Sequence, residues 1–309
     1  MEIKIRSIQI IKPLKPTLEN QCSFKLSLFD QLAAFSNIDL ILYYKPSCEV
    51  NIADRCTHLV KSLSEVLCSY YPLAGIVKED GLEIDCCDQG VKYLETRVTT
   101  TLDNFIKKGP KIDNTRRLVG APDQATTTLV TIQVNVFDCG ALAIGVSALH
   151  KVTDTCNLIR FINEWAGINR TGGSTGAFCP SFDNLAFPPM EVPLSNYPPI
   201  PNTTRSTTMW LPKASSKEIC TQTIACHVEV DEELMQNNFC LYTSWCSFPI
   251  YDVDFGWGKP YWASGIGSTI EMVTLMDGKD GDGIEAWVSL KEKDMKLFEQ
   301  DLDILAFTS

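Results

Sequence analysis

The sequence contains little histidine, little positive charge and no long apolar run. Of its 309 residues 3 are histidine, and 27 lysines and arginines stand against 38 acidic residues, which gives a net charge of −11. A negative surface repels phosphate backbones, so nucleic acid is a poor candidate partner. No apolar run reaches the roughly 18 residues of a membrane-spanning helix, and residues 1–4 do not open a signal peptide. We therefore expect a cytoplasmic protein that binds neither nucleic acid nor a membrane.

The 13 cysteines do not form a recognisable framework. Their number is odd, their spacing is irregular and no C-x-x-C pair occurs, which argues against a secreted disulfide scaffold. The gaps between Cys220 and Cys226 and between Cys240 and Cys246 fit no common zinc site. Scattered buried thiols in a reducing compartment are the favoured interpretation, and we expect no bound metal.

Apolar periodicity predicts a chain of mixed α/β type. Ser27 and Asp30 resemble a capping box that opens a helix through residue 35. Within residues 54–70 the apolar side chains recur at i, i+3, i+4 and i+7, which predicts a helix with one buried stripe. Pro72 is expected to end that helix.

Two neighbouring strands are predicted further along. Residues 129–137 alternate apolar and polar, which indicates a strand with one buried face. Residues 141–149 are almost continuously apolar, as in a strand covered on both faces. His150 follows directly, and a helix begins after Asp154, which can cap it. His150 therefore lies in a short loop on a rigid base, a place where proteins carry catalytic groups.

Residues 171–208 separate this half of the chain from the rest. They hold seven of the sixteen prolines, which is typical of an extended linker and a domain boundary. Beyond them we predict a short strand at 208–211. A hairpin is predicted with strands at 269–276 and 283–288.

The turn of this hairpin is rich in aspartate and glycine, which superficially suggests calcium. It lacks the glutamate that closes an EF-hand loop, so we interpret it as a turn. Ser289 and Glu292 then form a capping box for a last helix that ends near residue 305.

His150 is the strongest catalytic candidate of the three histidines. His58 lies on the polar side of the predicted 54–70 helix, and His227 lies in a stretch without a clear pattern. The imidazole of His150 can take a proton from a hydroxyl group, although a core histidine bonded by the backbone explains the position equally well. Asp154 either orients that imidazole, pairs with an arginine or caps the helix; capping or pairing is physically favoured.

Other catalytic patterns are incomplete. Gly145-Val-Ser147-Ala-Leu149 lacks the second glycine of a nucleophile elbow, and Ser147 faces away from His150 on a strand. The Asp254-Phe255-Gly256 triplet is not accompanied by the other kinase motifs. No P-loop or dinucleotide fingerprint occurs. Serine hydrolases, kinases and nucleotide-cofactor enzymes therefore do not fit.

Three motifs together are far more specific than any one of them. They are Tyr71-Pro-Leu-Ala-Gly75, His150-Lys-Val-Thr-Asp154 and Asp254-Phe255-Gly256-Trp257-Gly258. In combination they resemble the plant BAHD acyl-CoA-dependent acyltransferases, and most closely the alkaloid O-acetyltransferase branch of that family. The resemblance covers nearly the whole chain.

This resemblance implies an α/β fold of two domains, like that of chloramphenicol acetyltransferase, with mixed sheets. We expect an N-terminal domain at 1–200 that carries the His150 motif. A shortened C-terminal domain at 201–309 would carry the Asp254 motif, and residues 267–291 are a candidate segment for crossing back to the first domain. The resemblance also implies a monomer.

The resemblance further implies the chemistry of the site. His150 is the general base, Asp154 is structural or orienting, and the motif from Asp254 to Gly258 is structural. Acyl-CoA, with acetyl-CoA favoured, is a co-substrate, and no cofactor stays bound. The developing oxyanion needs a donor. The indole N–H of Trp245 or the hydroxyl of Thr243 is the candidate, while a packed core aromatic explains Trp245 equally well.

The chain departs from the family pattern in three places. Ile76 stands where the family has an arginine, and Thr155 stands where it usually has a glycine. The second domain is short by about a hundred residues, with the gap at about 220–238. The absent segment would hold the arginine that pairs with Asp154, and losing one partner of a buried ion pair costs roughly 3–5 kcal/mol.

Two hypotheses follow from these observations. The first is an acyltransferase that moves an acetyl group from acyl-CoA to a hydroxyl of a hydrophobic specialised metabolite such as an alkaloid. The alternative is a truncated, catalytically inactive relative that acts as a binding or interaction protein. A peptide-synthetase condensation domain fits poorly, because it usually carries a second histidine where this chain has Leu149.

Overall fold

The structure is a computed structural model. It describes residues 1–33, 36–47, 51–108, 112–120, 128–173, 180–182, 204–212, 240–268 and 270–306. The chain divides into two compact units. The first comprises Met1–Tyr197 and Pro249–Ser264, and the second comprises Pro198–Phe248 and Gly265–Ser309.

This division differs from the expected domains, 1–200 and 201–309, in one segment of chain. Residues 249–264, which contain the Asp254 motif, belong to the first unit and not to the second. The reason is a short strand, Trp262–Ser264, which pairs antiparallel with a strand of the first unit. Residues 267–291 lie in the second unit, whereas the resemblance suggested that they cross back to the first.

Strands are numbered in chain order. They are β1 (Ile3–Ile11), β2 (Ser23–Lys25), β3 (Asn37–Tyr44), β4 (Ile76–Val77), β5 (Glu83–Asp85), β6 (Val91–Val98), β7 (Val130–Phe137), β8 (Leu142–Leu149), β9 (Thr204–Pro212), β10 (Leu241–Ser244), β11 (Trp262–Ser264), β12 (Met272–Asp277) and β13 (Gly283–Lys291). The first unit contains a six-stranded sheet in the order β1-β6-β7-β8-β3-β11 and a three-stranded sheet, β2-β5-β4. In the six-stranded sheet β6 and β7 run parallel and the other pairs run antiparallel, so the sheet is mixed.

Helices are numbered in the same way. They are α1 (Leu28–Leu32), α2 (Ile52–Val66), α3 (Leu102–Lys107), α4 (Ile112–Arg116), α5 (Thr155–Thr171), α6 (Glu292–Phe298) and α7 (Leu302–Ala306). In the first unit α2 and α5 pack against each other. The fully buried indole of Trp165 joins them, since its Nε1 donates to the Leu59 carbonyl at 3.1 Å and to Ser62 Oγ at 3.0 Å.

The first two predicted helices exist, with shifted bounds. The capping box at Ser27 is confirmed, but α1 ends at Leu32, three residues before the expected end. The α2 helix begins two residues early because the side chain of Asn51 accepts from Ala53 N at 3.1 Å and caps it. It ends at Val66, ahead of the Tyr71–Ala74 turn that contains Pro72.

The expectation that β7 buries only one face is wrong. Thr131, Gln133 and Asn135 are all buried, because the chain around residue 118 covers their face of the sheet. Asn135 Nδ2 donates to the Leu118 carbonyl at 2.8 Å and to the Ala143 carbonyl at 3.1 Å. Gln133 Nε2 donates to the Arg117 carbonyl at 3.0 Å. Polar side chains along a strand therefore mark a buried hydrogen-bond network here, not a solvated face.

The neighbouring strand β8 is buried as predicted, and Gly145 shows how closely it is covered. A Cβ at this glycine would overlap the Leu118 carbonyl oxygen, so only glycine fits against that segment.

The second unit contains a four-stranded sheet in the order β10-β12-β13-β9. The predicted hairpin is confirmed as β12 and β13, and the strand expected at 208–211 is the longer β9. The predicted capping box at Ser289 is wrong. Strand β13 continues through Ser289 to Lys291, and Ser289 Oγ accepts from Ser268 N at 2.9 Å. The single last helix that we expected is split into α6 and α7.

Of the expected linker 171–208, Thr171 ends α5 and residues 204–208 begin β9, while most of the rest lies outside the described residues.

Replacement of Asn135 by alanine tests the buried network. Thr96 Oγ1, which donates to Asn135 Oδ1 at 2.8 Å, would lose its acceptor, and the Leu118 carbonyl would lose its donor. We expect Asn135→Ala to lower the free energy of unfolding by about 3 kcal/mol, measured by urea titration. Asn104→Ala, at an exposed position of α3, is the matched control and should change it little. Equal losses in the two variants would contradict this account.

Candidate active site

The backbone of His150 is fixed by strands on both sides of β8. Its N–H donates to the Ser36 carbonyl, at the start of β3, at 2.8 Å. The preceding N–H, of Leu149, donates to the Leu129 carbonyl at 2.9 Å. The side chain of His150 is exposed, so the alternative of a buried core histidine does not hold. A rigid backbone with an accessible imidazole suits proton transfer to or from a small molecule.

Lys151 attaches the loop after β8, which carries His150, to helix α1. It is buried at 6% exposure, and its Nζ donates to the carbonyl of Gln31, in α1, at 3.0 Å. Burial lowers the pKa of Lys151, and the charge of Asp30 partly opposes this shift. Sequence reasoning missed this residue, because a lysine next to an exposed histidine gives no signal of burial.

Asp154 acts as the N-cap of α5. Its Oδ1 accepts from the backbone N of Asn157 at 2.6 Å, and a carboxylate at a helix N-terminus also interacts favourably with the helix dipole. The side chain is exposed, and it forms no ion pair with any residue that the structure describes. Capping is therefore the role that the geometry supplies, and an additional effect on His150 stays a prediction.

A polar cluster ties the ends of β3 and β8 together on the other side of the sheet. Asn37 Nδ2 donates to Ser147 Oγ at 2.9 Å, and Asp39 lies opposite Ser147 in the strand register. Burial raises the pKa of Asp39 to about 6, although its hydrogen bond with Ser147 and the charge of Arg116 oppose the shift. Ser147 is buried, whereas His150 is exposed, in agreement with the prediction that they face opposite ways.

The Asp254 motif forms a tight turn. Asp254 Oδ1 accepts from Gly256 N at 2.8 Å and from Gly258 N at 3.0 Å. Both glycines have positive φ, +103° and +101°, where a side chain would be strained. Phe255 is buried edge-on against Trp165 at 4.8 Å, and Trp257 stacks on Phe255 at 5.5 Å.

The last turn of α5 holds this motif in place. Asn169 Nδ2 donates to the Phe255 carbonyl at 2.6 Å, and Arg170 Nη1 donates to the Asp254 carbonyl at 3.0 Å. The helix has 17 residues, which at about 1.5 Å per residue separates its two ends by about 25 Å. Asp154 caps the first end, next to His150. These contacts fit the expected structural role of the motif and give it no place beside His150.

Trp245 and Thr243 lie in the second unit. Thr243 belongs to β10, and the backbone N of Trp245 donates to the Leu275 carbonyl at 2.7 Å. Both side chains are half-buried, so Trp245 is not a fully buried core aromatic. Their role as oxyanion donors stays a prediction.

His58 is exposed on α2, as predicted, and His227, Cys220 and Cys226 lie outside the described residues. The acidic turn between β12 and β13 is a hairpin turn, in which Gly278 N donates to the Gly283 carbonyl at 2.9 Å.

No group of three or more histidine, cysteine, aspartate or glutamate side chains in the described ranges could hold a metal ion. In that same part of the chain, no helix is both long enough and apolar enough to cross a membrane. The cysteines within it are free thiols, and Cys56 and Cys86 are buried.

Comparison with solved structures defines the class of fold. The crystal structure of vinorine synthase matches with a TM-score of 0.85 at 23% sequence identity, covering 100% of this chain and 99% of the other. TRI101 of F. sporotrichioides, complexed with coenzyme A and T-2, matches with a TM-score of 0.68 at 13% identity, covering 93% and 99%. The fold is therefore the two-domain α/β fold of the CoA-dependent acyltransferases, with mixed sheets, as expected.

Sequence comparison then identifies the family. A family model described as the Transferase family matches residues 1–229 and 212–305. The limonoid 21-O-acetyltransferase of Melia azedarach is 30% identical over 422 aligned positions, covering 100% of this chain and 99% of the relative. Vinorine synthase of Rauvolfia serpentina is 26% identical over 408 positions, covering 96% of each. The chain belongs to this Transferase family, the plant BAHD acyltransferases.

The alignment also measures the missing segment. This chain supplies 309 residues to 422 aligned positions, so 113 positions of the alignment with the Melia azedarach enzyme have no residue here. The two stretches matched by the family model overlap at 212–229. Both findings are consistent with a truncation inside the second domain.

Replacement of Asp254 by alanine tests the structural role of the motif. The change removes two hydrogen bonds to backbone N–H groups and a long ion pair with Arg170 of 3.9 Å. We expect a loss of about 2 kcal/mol in the free energy of unfolding, measured by urea titration. Asp252→Ala is the control, because the exposed carboxylate of Asp252 pairs with exposed Lys259, and its loss should cost almost nothing. A stable Asp254→Ala variant would contradict the assigned role.

Proposed function

We propose that this chain transfers an acetyl group from acetyl-CoA to a hydroxyl group of a hydrophobic specialised metabolite, with His150 as the general base. The observation that carries the proposal is the exposed His150 on a fixed backbone, in a chain that matches acyltransferases along its whole length. The co-substrate is consistent with the TRI101 neighbour, whose structure contains coenzyme A.

The reaction follows from the chemistry of the groups. An alcohol is a weak nucleophile until a base removes its proton during attack. The His150 imidazole takes that proton while the alcohol oxygen bonds to the thioester carbonyl carbon. The tetrahedral oxyanion then collapses, the C–S bond breaks, and the thiolate of CoA takes the proton back from the imidazolium. The products are an acetyl ester and free CoA, and no covalent enzyme intermediate forms.

The oxyanion of this intermediate needs a hydrogen-bond donor in a fixed position. The Trp245 indole N–H or the Thr243 hydroxyl is our candidate for that donor. Lys151 and Asp154 act on the loop that carries His150, the first through its bond to Gln31 and the second through the helix cap. They are positioning residues in this proposal.

The names of the relatives guide the choice of substrates. The first relative is named a limonoid 21-O-acetyltransferase, and others are named stemmadenine O-acetyltransferase, from Catharanthus roseus, and a malonyltransferase, from Salvia splendens. Acetyl-CoA is therefore the first acyl donor to test. Limonoid alcohols belong beside alkaloid alcohols among the acceptors. We propose that the enzyme works as a cytoplasmic monomer.

No arginine in the described part of the chain pairs with Asp154, and this does not count against activity. The expected penalty of roughly 3–5 kcal/mol applies to a buried ion pair. Because Asp154 is exposed and bonded to the helix N-terminus, its charge is stabilised without that partner. The alternative of an inactive binding protein is not favoured by the comparisons, and the experiment below separates the two.

Product detection by mass spectrometry tests the proposal. Purified chain is mixed with acetyl-CoA and a panel of limonoid and alkaloid alcohols. We expect an acetylated product, and we expect His150→Ala to lower its rate by about 10²-fold or more, as for loss of a general base. The exposed Asn104→Ala variant should keep the full rate. An unchanged rate in His150→Ala would overturn the base assignment, and no product from folded protein would favour the inactive relative.

A further inference from the structure

A pocket of about 400 Å³ lies in the first unit, between α2, the last turn of α5 and the Asp254 motif. His150 does not line it, and α5 separates it from the His150 loop by about 25 Å. A pocket of this volume is within the usual range for small-molecule sites. The catalytic proposal makes no use of it.

The polar lining comes mainly from one face of α2. Arg55, His58, Ser62 and Glu65 recur at i, i+3, i+7 and i+10, and Lys61 lies beside them. This spacing places the four on one side of a helix, so they face the pocket as a stripe. From the sequence alone, His58 was predicted to lie on the polar side of this helix, and the pocket was not predicted.

Positive charge prevails in this lining. Arg55 is buried at 1% exposure, with its guanidinium 5.2 Å from the Trp257 ring centre and Nη2 bonded to the Ser47 carbonyl at 3.2 Å. Lys61 and His58 are exposed, and no described residue forms an ion pair with either side chain. The described lining contains three permanent cations, of which Arg170 is ion-paired with Asp254 at 3.9 Å, and one carboxylate, Glu65. On a chain with a net charge of −11 this is a local reversal of sign.

The rest of the wall is apolar and aromatic. Ile168, Phe255 and Trp257 contribute to it, and the Phe255–Trp257 stack fixes the aromatic side. Cations beside a flat apolar wall suit a molecule that joins an anionic group to a small ring or hydrocarbon body. We propose that this pocket, the motif pocket, binds a small organic anion that carries a phosphate or carboxylate group, at a site separate from His150.

Isothermal titration with simple probes tests the proposal without any need for activity. The probes are phenyl phosphate, benzoate and uncharged phenol, each added to the purified full chain. We expect the two anions to bind and phenol not to bind, and the comparison of phenyl phosphate with benzoate identifies the preferred anionic group. Binding should weaken with added salt. No binding of either anion at millimolar concentration would overturn the proposal.

Two variants locate the site. Lys61→Gln should weaken binding about fivefold, and His58→Gln with Lys61→Gln should weaken it further, since both positions are exposed and tolerate the change. Lys107→Gln, at an exposed lysine of α3 outside the pocket, should leave the affinity unchanged. Equal affinity in all variants would place the anion elsewhere and overturn the proposal. Displacement of phenyl phosphate by micromolar CoA would assign the cations to the co-substrate site and would overturn it as well.

Discussion

The backbone N–H of His150 donates to the carbonyl oxygen of Ser36, and the candidate active site is built around this bond. It extends the pairing of β3 and β8 by one residue beyond the end of β8. The histidine thus leaves the sheet with a fixed backbone while its side chain stays accessible. The cluster of Asn37, Asp39 and Ser147 joins the same strand ends from the other face. Lys151 then fastens the loop to α1.

Helix α5 connects the His150 motif and the Asp254 motif of the first unit, and each motif lies at a different end of the helix. Asp154 begins the helix beside His150, whereas Asn169 and Arg170 at its end hold the turn of Phe255. A catalytic group needs exposure, and the motif at the far end is instead packed around buried aromatic rings. The contacts at the end of α5 also join residues 254 and 255 to the first unit, to which residues 249–264 belong.

Much of the fold could be predicted from local patterns, because apolar periodicity and caps act within a few residues. The helix start at Ser27, the buried strand before His150 and the cap at Asp154 are of this kind. Long-range pairing could not be predicted in this way. Thr131, Gln133 and Asn135 were expected on the face that is not buried, and it is the distant chain near Leu118 that covers them.

At the candidate site, too, the residues that could not be predicted are those that depend on long-range packing. His150 could be named from its position after a strand, but Lys151 and Asp39 are polar residues buried by distant segments, which no local pattern reveals. The pairing of Trp262–Ser264 with β3 joins strands that are more than two hundred residues apart in sequence. It places residues 249–264 in the first unit. The resemblance to a family implied roles for these residues, and the geometry adds that the Asp154 carboxylate accepts from Asn157 N at the start of α5.

Hydrogen exchange measured by NMR tests most directly whether the platform of His150 is formed in this shortened chain. The account predicts that the His150 amide, bonded to Ser36, and the Asn157 amide, bonded to Asp154, exchange about as slowly as the amides inside β8. Rapid exchange at both amides, with β8 still protected, would show that the loop is not held. That result would contradict the claim that the first unit presents His150 on a rigid base.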